Sequence, residues 1–318
     1  MLAQLERTRK RDIFCRLFEP HSKEDKKLNH RRKGTASEVR EFLALSGRDH
    51  RKYFQYTDLN ALCGMLKSGQ LWLTRADKLN DLKEFGAKEE RQFCYIASFG
   101  TSALENVAMW WMYGLNGIEK DPKRIPVRLE FDGKAILSSW KAVLPGRPDC
   151  IAPVPVGGGH SLPQVTEVLL HDMLYQRNHS HRKKPDGKRW HGAVSWNGHV
   201  ADEVRCKKAF ENAVESLPGF VKDVGWAYEN ETRITIRLAE AGPDKIAIPF
   251  VDALKSVRVL VGPGGDRNSN AAKRRMDSAT QRILEMPKHP DLSPMSDWSK
   301  RIEASHYLVQ FAKDSNKH

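Results

Sequence analysis

Residues 226–238 read WAYENETRITIRL. The second half alternates cleanly: Ile234, Ile236 and Leu238 fall on one face, and Arg233, Thr235 and Arg237 on the other, the pattern of a half-buried strand. Carried backward, the same period of two sets Glu229, Glu231 and Arg233 on the polar face, with successive side chains roughly 6–7 Å apart, and puts Tyr228 with the isoleucines. Two acids and a base then face one space, in a chain whose Lys and Arg outnumber Asp and Glu by 13. Taken alone, these residues also fit an exposed ion-pair ladder on the solvent side of a strand, an arrangement that contributes little to stability. What surrounds the strand decides between the two.

Upstream, KYFQYTDLNALCGMLKSGQLWLT reads as strand, helix, strand. Asp58 is placed to cap a helix whose Leu59, Leu62, Cys63 and Leu66 recur at helical spacing, Ser68-Gly69 ends it, and LWLT follows. CYIASF reads as a buried strand, ALENVAMWWMYG as a helix and IPVRLEF as another strand. PQVTEVLLHDMLYQ and ADEVRCKKAFENAVESL have helical spacing, KIAIPF and VRVLVG read as strands, and NAAKRRMDSATQRILEM and DWSKRIEASHYLVQFAKD as closing helices. GPGGD has no lysine in a phosphate-loop frame and reads as a turn. The pattern predicts an α+β protein with a mixed, split sheet and flanking helices. A basic N-terminal arm covers 1–49, a core 50–262 with a basic loop at 177–191, and a helical extension 263–318.

With 318 residues, 40% of them hydrophobic, the chain can bury a sizeable core, and no apolar run approaches the 18 or so residues of a membrane span. The charged N-terminus lacks a secretory signal, so a cytoplasmic location with no membrane partner is expected. The five cysteines are scattered and read as free thiols. His179, His181, His191 and His199 lie among lysines and arginines with no completing carboxylate or cysteine, so no metal is assigned. The basic balance favours nucleic acid, anionic nucleotides or acidic protein faces as partners.

Taken in order, YFQYT, LWLTRADKLNDLKE, ASFG with MWWMYG, and VGWAYENETR resemble a bacterial domain-of-unknown-function family over roughly residues 50–262. That family carries an aromatic-x-Tyr-Thr strand, an N-D-P-x-E loop, an M-W-x-x-Y helix and a W-x-Y-E-x-E-x-R block. The chain is also similar to a divergent ADP-ribosyltransferase fold, in which an early H-x-T-like motif and a late [QE]-x-E motif carry the site. The resemblance puts Gln55, Tyr56 and Thr57 at the first motif and Trp72 and Thr74 at the middle contacts. Asn80 and Asp81 fall in the loop, Tyr113 in the aromatic helix, and Glu229 and Glu231 at the last motif. Gln55 stands where that superfamily has histidine or arginine, and Leu82 where the loop has proline.

The resemblance implies NAD as substrate and ADP-ribosyl transfer to a macromolecule. Glu231 would act on the ribose, Glu229 on the acceptor, Tyr53, Tyr56 and Tyr113 on a ring, and Arg233 or Arg75 on the pyrophosphate, Arg233 having the alternative of simply holding Glu231. Charge favours a DNA or RNA acceptor. The company such bacterial enzymes keep implies a toxin or phage-defence effector with a neutralising antitoxin or defence-system partner. The alternatives are an NAD glycohydrolase, and a non-catalytic nucleic-acid-binding protein in which the E-x-E-x-R stripe is structural.

Overall fold

A computed structural model describes residues 2–17, 35–79, 85, 88–115, 124–143, 152–153, 164–176, 194–197, 199–200, 217–263, 269–293 and 297–305. The strands are β1 (Lys52–Asp58), β2 (Gln70–Arg75), β3 (Cys94–Gly100), β4 (Pro126–Asp132), β5 (Ala152–Pro153), β6 (Val165–Asp172), β7 (Leu174–Gln176), β8 (Val194–Trp196), β9 (His199–Val200), β10 (Val221–Asp223), β11 (Glu231–Leu238), β12 (Lys245–Pro249), β13 (Arg258–Val261) and β14 (Ile302–Ala304). The helices are α1 (Leu2–Leu17), α2 (Ala36–Gly47), α3 (Leu59–Ser68), α4 (Lys88–Arg91), α5 (Val107–Met109, continued by a π-helical turn over Trp110–Leu115), α6 (Gly133–Ala142), α7 (Val251–Lys255) and α8 (Ser269–Glu285). The chain is α+β with a mixed sheet and flanking helices, as the element pattern predicts.

β3 organises the main ten-stranded sheet. One edge pairs along its length with β11, which pairs in turn with β6. The other edge is shared: Tyr95 and Ile96 pair with β2, Gly100 pairs with Phe54 of β1, and Ala97, Ser98 and Phe99 between them face neither strand. From that point the sheet divides, β1 leading to β4, β13 and β14, and β2 to β12 and β5. A second sheet of four short strands, in the order β10-β7-β8-β9, grows from the end of β6.

Alternation assigns the faces. Tyr95, Ala97 and Phe99 of β3, Ile234 and Ile236 of β11, and Leu71 and Leu73 of β2 enter the main core, which α3, α6, α7 and α8 cover. Each large apolar side chain fully buried there contributes roughly 1.5–3 kcal/mol. Asp58 caps α3 by accepting from Ala61 N–H, and Gly69 ends it in the left-handed region (φ 69°), as the sequence predicts. The opposite face of β6 is covered by α2, whose Val39, Phe42 and Leu43 pack with Leu174, Trp196 and Phe220. Within the basic N-terminal stretch, α1 is fastened to this layer by Phe14 against Phe42 and by Lys10 paired with Asp49.

Gly47, the last residue of α2, lies so close to β6 that a Cβ there would sit 2.5 Å from His171 Cα. Gly47→Ala is therefore expected to destabilise the protein by about 1–3 kcal/mol through overpacking against backbone that cannot swing aside, measured as a lower urea midpoint at unchanged slope.

One predicted helix is a pair of strands, and the described start of another is a turn and a short strand. Residues 165–172 and 174–176 form β6 and β7: β6 is paired to β11 and covered on both faces, so its apolar residues lose the period of two and imitate helical spacing. In DWSKRIEAS the described part is a 3-10 turn over Trp298–Arg301 followed by β14, which pairs parallel to β13. The helix expected in 201–217 and the basic loop at 177–191 lie outside the described residues, apart from Leu217. No helix among the described residues is long and apolar enough to cross a membrane.

Candidate functional site

The division of the sheet leaves a cleft of about 210 Å³ whose floor is the stretch of β3 that pairs with β11 alone. Gln55 and Tyr56 come from β1, Trp72 and Thr74 from β2, Tyr113 from the π-helical turn after α5, and Glu229 and Glu231 from the approach to β11. Ser98 is exposed on its floor between buried Ala97 and Phe99. Asn106 holds the wall in place. Its N–H donates to Tyr56 Oη at 2.9 Å, its Nδ2 donates to the Tyr228 carbonyl at 2.9 Å, and its Oδ1 accepts from Ala108 N–H to start α5. One side chain thus ties β1, α5 and the segment before β11 together.

The two glutamates do not share a strand. Glu229 ends a 3-10 turn over Val224–Glu229, Asn230 takes the left-handed conformation (φ 42°, ψ 58°), and the strand starts at Glu231. Asparagine tolerates this conformation better than most residues because its short polar side chain bonds locally. The expected run of Glu229, Glu231 and Arg233 along one strand face is corrected accordingly, and Tyr228 lies in the turn against Tyr56, Met109 and Trp110 instead of with the isoleucines. The acids still converge, because the turn directs both toward Lys222 of β10. Its Nζ lies 2.6 Å from Glu229 Oε2 and 2.8 Å from Glu231 Oε2.

This is a buried ion network and not a solvent ladder: Glu229 and Glu231 are each 4% exposed, Arg233 2% and Lys222 7%. Arg233 clamps Glu231 bidentately, Nε to Oε1 at 2.6 Å and Nη2 to Oε2 at 3.1 Å. Its Nη1 donates to the Gly219 carbonyl at 3.4 Å. Gly219 adopts φ 84°, and a Cβ there would stand 2.5 Å from Phe85, so only glycine closes this corner. Glu231 N–H donates to Tyr175 Oη at 2.7 Å, and Tyr113 Oη donates to Glu229 Oε1 at 2.7 Å.

The two carboxyls are driven in opposite directions. Burial works against charge on Glu231, yet Arg233 and Lys222 outweigh it and hold this carboxyl well below its ordinary range. Burial first, and then the Glu231 charge, push Glu229 up against the pull of Lys222 and Tyr113. Burial and the neighbouring Glu229 raise the Tyr113 phenol, which stays a hydrogen-bond donor. Glu231 is thus held as the anion of the pair, and Glu229 is the carboxyl whose proton affinity is raised.

Of the residues singled out in the sequence, Gln55, Tyr56, Trp72, Thr74, Tyr113, Glu229 and Glu231 meet in the cleft. Thr57 does not line it; it sits opposite Val127 in the β1–β4 ladder. Arg233 is spent on Glu231 and lies behind the cleft, which resolves its two readings in favour of holding the carboxylate. Arg75 is engaged by Asp77, Asp244 and the Gly242 carbonyl. Tyr53 belongs to the core, its hydroxyl donating to the Gly47 carbonyl at 2.5 Å. Asn80, Asp81, His179, His181 and His191 lie outside the described residues. Among the described residues no group of His, Cys, Asp or Glu could hold a metal ion.

Sequence reasoning missed Lys222, Tyr175, Asn106 and Ser98. The one signal for Lys222 is alternation: in FVKDV it falls on the same face as Phe220 and Val224, while Val221 and Asp223 fall on the other. His171 was also missed. It lies opposite Arg233 on β6, stacks on Phe220 at 4.0 Å between ring centres, and donates from Nδ1 to the Asp172 carbonyl while Nε2 meets Thr235 Oγ1 at 3.0 Å. Burial, with the Arg233 charge, lowers it to about 4. Its folded value lies below its unfolded one, so its contribution to stability is complete above pH ~6.5 and is lost as pH falls toward 4, by about 3 kcal/mol. His171→Gln should remove this component, so urea midpoints of variant and wild type should converge on acidification across that window.

The fold and site together define an α+β protein with paired, buried carboxylates in a split-sheet cleft. No protein-family model, curated protein or solved structure matches the chain.

Proposed function

We propose that this protein transfers ADP-ribose from NAD to a macromolecule, with nucleic acid the favoured acceptor, on an ADP-ribosyltransferase-type split sheet. The observation that carries this reading is the convergence, where β1 and β2 part, of a carboxyl held as an anion, a carboxyl of raised proton affinity and a buried unpaired acceptor. The last is Gln55 Oε1, which lies in the cleft wall with no hydrogen-bond partner among the described residues. A buried acceptor without a donor costs free energy unless a ligand supplies one, and the carboxamide N–H of nicotinamide or a ribose hydroxyl is such a donor.

The chemistry follows from the charges. The bond between ribose C1′ and the nicotinamide nitrogen breaks, its electron pair leaves with neutral nicotinamide, and positive charge develops on the sugar. Glu231 is already ionised and oriented by Arg233 and Lys222, so it stabilises that charge without reorganising. The acceptor nucleophile then bonds to C1′ and its proton passes to Glu229, whose raised proton affinity suits it as general base. Tyr113 and Lys222 fix the Glu229 carboxyl for that step. The net charge of +13 supports an anionic acceptor.

The test is incubation of the protein with NAD labelled in its adenylate half, together with DNA, RNA or lysate. The expected result is released nicotinamide with label on nucleic acid. Nicotinamide without transferred label would make the protein a glycohydrolase, and no nicotinamide with any acceptor would leave a nucleic-acid-binding protein.

A further inference from the structure

At about 210 Å³ the cleft falls below the roughly 300–1,000 Å³ of sites that enclose a whole ligand, so a dinucleotide seated in it leaves one half outside. Trp72 stands at that boundary. Alternation along β2 buries Leu71 and Leu73 in the core and sends Trp72 to the cleft face, where it is 45% exposed although it is among the largest apolar side chains of the protein. Indole rings buried by folding reach interior partners, and one left open beside a polar cleft offers a ring to a ligand.

Beside it, Lys245 of β12 holds its ammonium 5.9 Å from the centre of the Trp72 ring. The registers of β2 and β12, with Thr74 opposite Lys245 and Trp72 opposite Ala247, fix the two side chains as diagonal neighbours. Lys245 has no carboxylate partner among the described residues, whereas the adjacent Asp244 is taken by Arg75 and Lys78. An exposed cation–π contact is weak and easily exchanged for a phosphate.

We propose that Trp72 and Lys245 form the subsite for the adenosine diphosphate half of the dinucleotide. The adenine stacks on the indole, and the Lys245 ammonium leaves the ring to pair with the diphosphate, while the nicotinamide riboside half enters the cleft. The inference rests on the reading of the cleft as an NAD site. It explains why a cleft too small for the dinucleotide has an aromatic and a cation on its lip.

The experiment measures binding of NAD, ADP-ribose, nicotinamide riboside and a ten-nucleotide single-stranded DNA to wild type, Trp72→Ala, Trp72→Phe and Lys245→Ala, each checked for native unfolding behaviour. Trp72→Ala is expected to weaken ADP-ribose at least tenfold and leave nicotinamide riboside within twofold. Trp72→Phe should restore most of the loss, and Lys245→Ala should weaken ADP-ribose several-fold with a shallower salt dependence. If wild type binds ADP-ribose and Trp72→Ala binds it equally well, the subsite is overturned and the NAD reading stands. If Trp72→Ala loses the DNA and keeps ADP-ribose, the indole serves the acceptor and the subsite is again overturned. If wild type binds neither NAD nor ADP-ribose, both readings fall together.

Discussion

Glu231→Gln is expected to lower nicotinamide release from NAD by about 10²–10³-fold while changing dinucleotide affinity only a few-fold, the range found when one preorganised electrostatic group is removed from a site that stabilises developing charge. The asymmetry follows from timing. In the ground state the ribose carries no positive charge and gains little from a carboxylate held in an ion network, whereas the transition state meets a full negative charge at a fixed position. Glutamine keeps the shape, so Arg233 retains an oxygen to bond, though with a weaker acceptor. Glu229→Gln should behave differently, cutting transfer of label more than release of nicotinamide, because its part falls on the acceptor's proton. Equal release from Glu231→Gln and wild type would remove Glu231 from the chemistry and return the network to a structural role.

The sequence shows this site only in part, and the reasons are physical. RITIRL is legible because one face of β11 packs into the main core and the other does not, which preserves the period of two. The same period carried across Asn230 fails, since one left-handed residue ends it, yet it still groups the right acids because the turn redirects Glu229 toward the same cation. β6 is illegible for the opposite reason: layers on both sides remove its polar face, and apolar residues crowd together as on a helix. Lys222 and Tyr175 arrive from the small sheet and Asn106 from the turn before α5, each through contacts between residues distant in the chain. Arg128 looks like a rim residue of IPVRLEF, but its guanidinium lies 4.0 Å from the Phe54 ring centre and donates to the carbonyls of Ser102 and Ala103, anchoring the loop that leads to Asn106. Local pattern finds what a strand presents to its own two faces; a buried ion network gathers residues that no local pattern joins.

Lys222→Met should be the most destabilising single change at this site, costing about 3–5 kcal/mol at neutral pH, because it removes the one cation shared by two buried carboxylates and leaves a charge uncompensated. Glu231 keeps Arg233, so the loss falls on Glu229, which among the described residues retains the Tyr113 hydroxyl. The sign of the pH dependence is fixed by the direction of the shift. In wild type Glu229 already holds its proton more tightly folded than unfolded, and without Lys222 it holds it more tightly still. A group whose folded value is raised favours folding below its unfolded value and loses that contribution as pH rises through the folded one. The deficit of Lys222→Met should therefore be larger at pH 8, where Glu229 must ionise in a buried site or take a proton against the solution, than at pH 5, where the proton is available. Urea unfolding at the two pH values measures it. Adding Glu229→Gln to Lys222→Met should recover at least half of the loss at pH 8 and little at pH 5, since a neutral amide needs no cation. A deficit of the same size at both pH values, or no recovery in the double variant, would mean that Lys222 matters for its packing beneath Trp226 and not for the charge it shares.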